Sequence, residues 1–100
     1  MSMNHKLTKV IQGRTIGSIT QEDGKLHVTF GDGSIMTIKT GPGAAPAEIV
    51  GTAVDHVEQD VAPPALHLKF TGGTSWTAPL AEATSCVMLR NAAVKLEYVD

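Results

Sequence analysis

The stretch "LHVTFGDGSIMT" (residues 26–37) returns forty positions later as "LHLKFTGGTSWT" (residues 66–77). Leu26, His27, Phe30, Gly33 and Thr37 match Leu66, His67, Phe70, Gly73 and Thr77. Within the first copy Leu26, Val28 and Phe30 alternate with His27 and Thr29, and Leu66, Leu68 and Phe70 repeat the pattern in the second. Side chains of a strand change faces at every residue, so strict alternation marks a strand buried on one face only. Glycines follow in both copies, and a second alternating run then places Met36 and Ile38 on the inner face, with Trp76 standing where Met36 does. A glycine turn between two alternating runs is hairpin chemistry.

The repeat extends upstream. "IQGRTIGSITQ" (11–21) aligns with "IVGTAVDHVEQ" (49–59) at an offset of 38, so a two-residue change falls where "EDGK" becomes "DVAPPA". Turn backbone faces water and absorbs such insertions. Asp23-Gly24 suits a type I′ turn. Pro63-Pro64 is expected to limit pairing at the equivalent place, because neither residue donates a ladder hydrogen bond. Ahead of each first strand lies a short helical turn. Leu7, Val10 and Ile11 form a stripe that Gly13 ends, and "APAEIVG" (45–51) opens with a proline and closes on Gly51. Neither turn is long enough to persist without packing on a sheet. "TGPGAAP" (40–46) links the copies.

In the tail, "AEATSCVMLRNAAVKLEYVD", alanine favours helix, but "VKLEYV" alternates, with Val94, Leu96 and Tyr98 opposed to Lys95 and Glu97. A last hairpin turning at "RNAA" is the favoured reading. The expected fold is therefore mainly β. Two pseudo-symmetric three-stranded meanders form a small barrel, roll or sandwich, with short helical turns and a C-terminal hairpin. All of it belongs to a single domain built from copies at about 7–39 and 45–80 plus a C-terminal segment, 81–100. Two copies are too few for a solenoid.

Composition narrows the function. A chain of 100 residues holds one core, and 42% hydrophobic residues are enough to build it. Phe30, Phe70, Trp76 and Tyr98 are the only aromatics, so that core is mostly aliphatic. The net charge of −2, with basic residues scattered singly, argues against tracking a nucleic-acid backbone. One cysteine, Cys86, excludes an intramolecular disulfide. No stretch approaches a membrane span and the N-terminus lacks the apolar run of a signal peptide, so the expectation is a cytoplasmic protein with no membrane partner.

Candidate site residues are few. "TGPGAAPAEIVG" runs from strand to short helix but lacks the lysine and spacing of a phosphate loop. His27 and His67 occupy equivalent outward positions, and His56 also faces outward with Glu58 two residues beyond it. Imidazoles and a carboxylate are ordinary zinc ligands. The competing reading is solvated outer-face histidines, and no close-spaced zinc motif is present. No metal or cofactor is assigned. Cys86, beside Val87 and Met88, reads as a buried structural thiol rather than a nucleophile assisted by a histidine with Asp55 or Asp60 as orienter. Glu22-Asp23 and Asp60 read as solvated turn residues. Trp76 reads as core, although aromatics of its size also anchor interfaces. The binding candidates are His27, His56, His67 and Trp76.

These residues give no catalytic set. The expected function is a protein-interaction or oligomerisation module without catalytic activity, self-associating as a homodimer or docking on a protein partner. Open strand edges must be paired, covered or charged, and two-fold dimers are the commonest solution. The alternative is a small-ligand or metal-binding domain that uses the outer-face histidines.

Overall fold

The computed structural model describes residues 2–22, 24–40, 49–61, 63–81 and 87–99. Alternating stretches become strands and the Leu7 stripe becomes a helix. In chain order the elements are β1 (Ser2–Met3), α1 (His5–Ile11), β2 (Ile16–Glu22), β3 (Lys25–Phe30), β4 (Ile35–Lys39), β5 (Val54–Val61), β6 (Pro64–Phe70), β7 (Ser75–Pro79), β8 (Val87–Arg90) and β9 (Leu96–Val99). They form two antiparallel sheets, ordered β2-β3-β4-β8-β9 and β1-β5-β6-β7. The mainly β reading and the C-terminal hairpin hold. The two-residue β1 was not foreseen, since so short a strand carries no periodicity.

The sheets do not close into a barrel. Between their strands lie two isolated bridges, Thr15 with Ala53 and Thr40 with Leu80. Bulges follow the first bridge on both sides, between Ile16 and Ser18 in β2 and between Val54 and His56 in β5. A bulge bends its strand and increases twist, which carries β2 and β5 apart before a ladder can grow between them.

Both meanders turn the same rows inward. Leu26 pairs with Ile38 and Val28 with Met36, while Leu66 pairs with Ala78 and Leu68 with Trp76. These residues and Phe30, Phe70, Val54 and Val57 belong to one buried cluster drawn from both sheets. Methionine and isoleucine in one copy become tryptophan and alanine in the other, so bulk moves along the strand while the row stays filled, as close packing demands. The ladder in copy two also runs further than the Pro63-Pro64 pair predicts. It reaches Val61 with Pro64, and the Pro64 carbonyl accepts from Leu80 N–H at 3.0 Å. Proline lacks a donor but keeps its acceptor.

Where the sheets meet, residues 13–16 and 51–54 exchange main-chain hydrogen bonds. Gly13 N–H donates to Val54 O (2.8 Å) and Gly51 N–H to Ile16 O (2.7 Å); Ile16 N–H donates to Thr52 O (2.9 Å) and Val54 N–H to Arg14 O (3.0 Å). Gly13 and Gly51 sit at φ of +86° and +91°, the left-handed region that glycine enters without penalty, with nothing within 4 Å of an added Cβ. Both were read as helix stops.

Helix α1 lies on β5. Asn4 caps it by accepting from Leu7 N–H at 3.0 Å, and the Asn4 amide donates to Gln59 (3.0 Å) and to the Tyr98 hydroxyl (2.9 Å). The buried Thr8 hydroxyl accepts from Val57 N–H at 2.9 Å, and Leu7 and Ile11 are fully buried. Seven residues hold a helix only through such packing. In the second copy Ile49 is likewise buried; residues 45–48 of the second helical turn lie outside the described residues, as do Asp23 and Cys86.

Strand β8 joins β4, pairing Met36 with Leu89 and Ile38 with Val87, and β9 forms the sheet edge. Asn91 holds the connecting turn, its side-chain oxygen accepting from Ala93 N–H (2.9 Å) and Lys95 N–H (3.0 Å). The alternation read across residues 94–99 fails. Val94 adopts φ of +64°, and a bulge places Arg90 opposite Leu96 while Leu89 faces Tyr98. Of the three residues read as sharing one face, Tyr98 alone is buried, while Val94 and Leu96 are exposed. Arg14 fastens the hairpin: its guanidinium reaches Glu97 at 2.7 Å, Ser34 at 3.0 Å and Asp32 at 3.4 Å.

Phe30 and Phe70 fill equivalent core positions. Truncating either to alanine is expected to cost about 3–5 kcal/mol, a large share of the stability of a domain this size. Chemical denaturation measures it, and a midpoint near wild type for either variant contradicts the inner-row assignment.

Candidate functional site

The outer faces carry the repeated polar residues. In the ladder His27 stands between Thr20 and Thr37, and His67 between Glu58 and Thr77. His67 Nδ1 lies 2.8 Å from Thr77 Oγ1 and its Nε2 lies 2.9 Å from Asp60. His27 repeats the arrangement more loosely, with Thr37 at 3.2 Å and Glu22 at 3.4 Å. Glu22 and Asp60 are themselves equivalent positions, so each copy carries a line of hydroxyl, imidazole and carboxylate across three strands. Glu22, 66% exposed, stays solvated, but neither carboxylate sits in a turn, and both histidines have side-chain partners. Glu22 and Asp60 lie in β2 and β5, and each reaches diagonally to a histidine on the next strand.

A carboxylate only accepts, so Nε2 of His67 donates to Asp60, while Nδ1 faces the Thr77 hydroxyl. That hydrogen bond from His67 holds the Asp60 carboxyl below its usual range. Asp32 is lowered too, by the Ser34 hydroxyl and Ser34 N–H, with the Arg14 charge adding to them. In both cases the stabilisation is present above the ordinary carboxylate pKa and is lost as pH falls through the lowered value.

His56 contacts Asp55 at 2.7 Å and Glu58 at 3.6 Å. It shares a sheet with His67, while His27 belongs to the other sheet, so the three histidines do not gather into one centre. Among the described residues no group of three or more histidine, cysteine, aspartate or glutamate side chains is placed to hold a metal ion. Trp76 is buried in the core rather than at an outer face. The Cys86 thiol reading falls outside the described residues.

A second surface was missed by reading alone. The ladder sets Ile35, Arg90 and Leu96 in one outer row and Thr37, Met88 and Val99 in the next. Ile35 is 41% exposed, Leu96 52% and Val99 60%, with Val94 at the adjoining turn at 69%. Arg90 lies over this patch, donating to Val94 O at 3.3 Å and approaching the Met88 sulfur at 3.7 Å. Only the bulge brings Leu96 and Val99 to one face, and a bulge leaves no periodic trace. The Arg14 cluster carries no sequence signal either. Asn4 does, being a capping residue just ahead of the Leu7 stripe.

No family model, curated protein or solved structure matches the chain. Among the described residues no helix is long and apolar enough to cross a membrane.

His67 is the more enclosed of the paired histidines, at 14% side-chain exposure against 29% for His27. Replacing His67 with glutamine is expected to destabilise the fold by about 0.5–1.5 kcal/mol, the net worth of a hydrogen bond, and more than the same change at His27. The loss should be present at neutral pH and shrink in acid, where Asp60 protonates. Thermal unfolding of the two variants between neutral and acidic pH measures both effects, and equal losses at His27 and His67 contradict the ranking.

Proposed function

We propose that this protein is a non-catalytic association module, working in the cytoplasm as a homodimer or docked on a protein partner. One observation carries the reading: of the six large apolar side chains exposed among the described residues, Val94, Leu96, Val99 and Ile35 lie on the C-terminal hairpin and the strand beside it, with Met3 and Val50 elsewhere. Contiguous apolar surface of this kind marks interaction sites, while single exposed apolar residues need no explanation.

Val94 strengthens the case. A β-branched residue at positive φ is a backbone outlier costing about 1–2 kcal/mol. Its side chain projects into solvent, so packing within the chain does not offset that cost. Strain of this sort persists where it serves a function.

The reading includes a pseudo-two-fold relation between the two meanders. In its support, Gly13 and Gly51 exchange bonds with Val54 and Ile16, and the bridges join Thr15 to its own counterpart Ala53 and Thr40 to Leu80. The hairpin lies outside the duplicated unit. It buries Val87, Leu89 and Tyr98 in the core while leaving Val94, Leu96 and Val99 exposed.

Sedimentation or light scattering at micromolar concentration should give a mass above the monomer's 10.5 kDa. A monomer mass across that range, with no partner added, removes the homodimer.

A second reading makes the outer-face histidines a metal or small-ligand site, favoured by the paired hydroxyl–imidazole–carboxylate lines. Against it, both nitrogens of His67 already have partners. A metal bound only to the native state stabilises it by about 2.7 kcal/mol at a hundredfold excess over its dissociation constant. The expected outcome is no rise in melting temperature with added Zn²⁺. A rise that the double His27→Gln, His67→Gln variant abolishes would establish the metal reading instead.

A further inference from the structure

The association reading leaves open which surface pairs and with what, and this inference rests on that reading. The outer faces of the two sheets differ in charge. On the five-stranded sheet the ladder aligns Glu22, Lys25 and Lys39 in one outer row and sets Arg90 between Ile35 and Leu96 in another, three cations against one carboxylate. On the four-stranded sheet Glu58 and Asp60 face outward from β5, and Asp55 sits in the bulge beside His56. Among the described residues Lys69 is the only lysine or arginine on that face. The cationic face also repels itself. Lys25 stands directly opposite Lys39, and like charges so placed weaken a sheet. Glu22, on the other side of Lys25, turns its carboxylate to His27 at 3.4 Å. Carboxylates brought from outside would offset that repulsion. Ile35, Leu96 and Val99 are exposed on the same face, and the acidic face has an exposed apolar residue of its own, Met3, opposite Glu58.

We propose that the outer face of the five-stranded sheet docks on the outer face of the four-stranded sheet of a second copy, its cations against the carboxylates of β5. The duplication favours the fit, because both faces are built on meanders of matching register. His27 pairs with Thr37 as His67 pairs with Thr77. If the cationic face met the same face of another copy, Lys25, Lys39 and Arg90 would meet the same three cations. Like charges brought together across an interface disfavour that arrangement. Contact between two unlike patches is heterologous, so each pair keeps one free face of each kind. The dimer is then the first step of a stack that lengthens as concentration rises.

Sedimentation equilibrium on the full chain tests this, with circular dichroism confirming that each variant folds. Lys39→Glu with Arg90→Glu reverses the cationic face, and the first change also turns the repulsion across the ladder into attraction. Asp55→Lys with Glu58→Lys reverses the acidic face. Each double variant alone should associate about tenfold more weakly than wild type. An equimolar mixture of the two should recover association, since each supplies the face that the other lacks. The wild type should weaken likewise in about 1 M salt, where the screening length falls to about 3 Å, and that arm needs no substitution. A wild-type monomer in low salt overturns the homodimer and this inference with it. A wild type that associates while the acidic-face variant associates just as tightly overturns the stacking alone. So does a mixture no tighter than its components, or association that salt leaves unchanged.

Discussion

Four main-chain hydrogen bonds between residues 13–16 and 51–54 hold this molecule together at the point where its sheets part. Everything else is arranged around them. They fix where β2 and β5 begin, and the bulges just beyond send those strands into different sheets. They demand that the chain reverse sharply at residues 13 and 51, which the positive φ of Gly13 and Gly51 permits. The space between the diverging sheets is then filled by two matching rows of aliphatic and aromatic side chains. Because the bonds are between backbone groups, they do not depend on which side chains the two stretches carry. Met36 and Ile38 in one meander and Trp76 and Ala78 in the other accordingly pair in matching registers.

Much of the fold was legible because its signals are local. Alternation in "LHVTF" and "LHLKF" places Val28 and Leu68 inside and the histidines outside, and the glycines mark the turns. What was not legible depends on neighbours. Alternation tells which face His67 occupies but not that Asp60, diagonal to it on β5, reaches its ring. The edge hairpin was recognised as a hairpin, yet its inner residues were misassigned, because a single bulge inverts the parity of every position beyond it. The closed barrel failed for a related reason: closure depends on whether ladders persist between sheets, and two bulges decide that here.

The two copies are not equally dressed. Arg14 reaches Glu97, Ser34 and Asp32, whereas the equivalent position in the second copy is Thr52, which has no such reach. The hairpin pairs with β4 rather than β7, and Asn4 also holds it by donating to the Tyr98 hydroxyl. The Arg14 cluster ties the hairpin to the turn between β3 and β4.

The placing of α1 on β5 sets the order in which the molecule can be completed. Thr8 waits for Val57, forty-nine positions later, and the Asn4 cap is closed by Tyr98, ninety-four positions later. A seven-residue helix does not persist alone. On a ribosome adding roughly 5–20 residues per second, α1 spends seconds without the later-made surface that shapes it. The helix thus settles after the strands it packs on, and its amphipathic stripe stays exposed while the second meander is still being made.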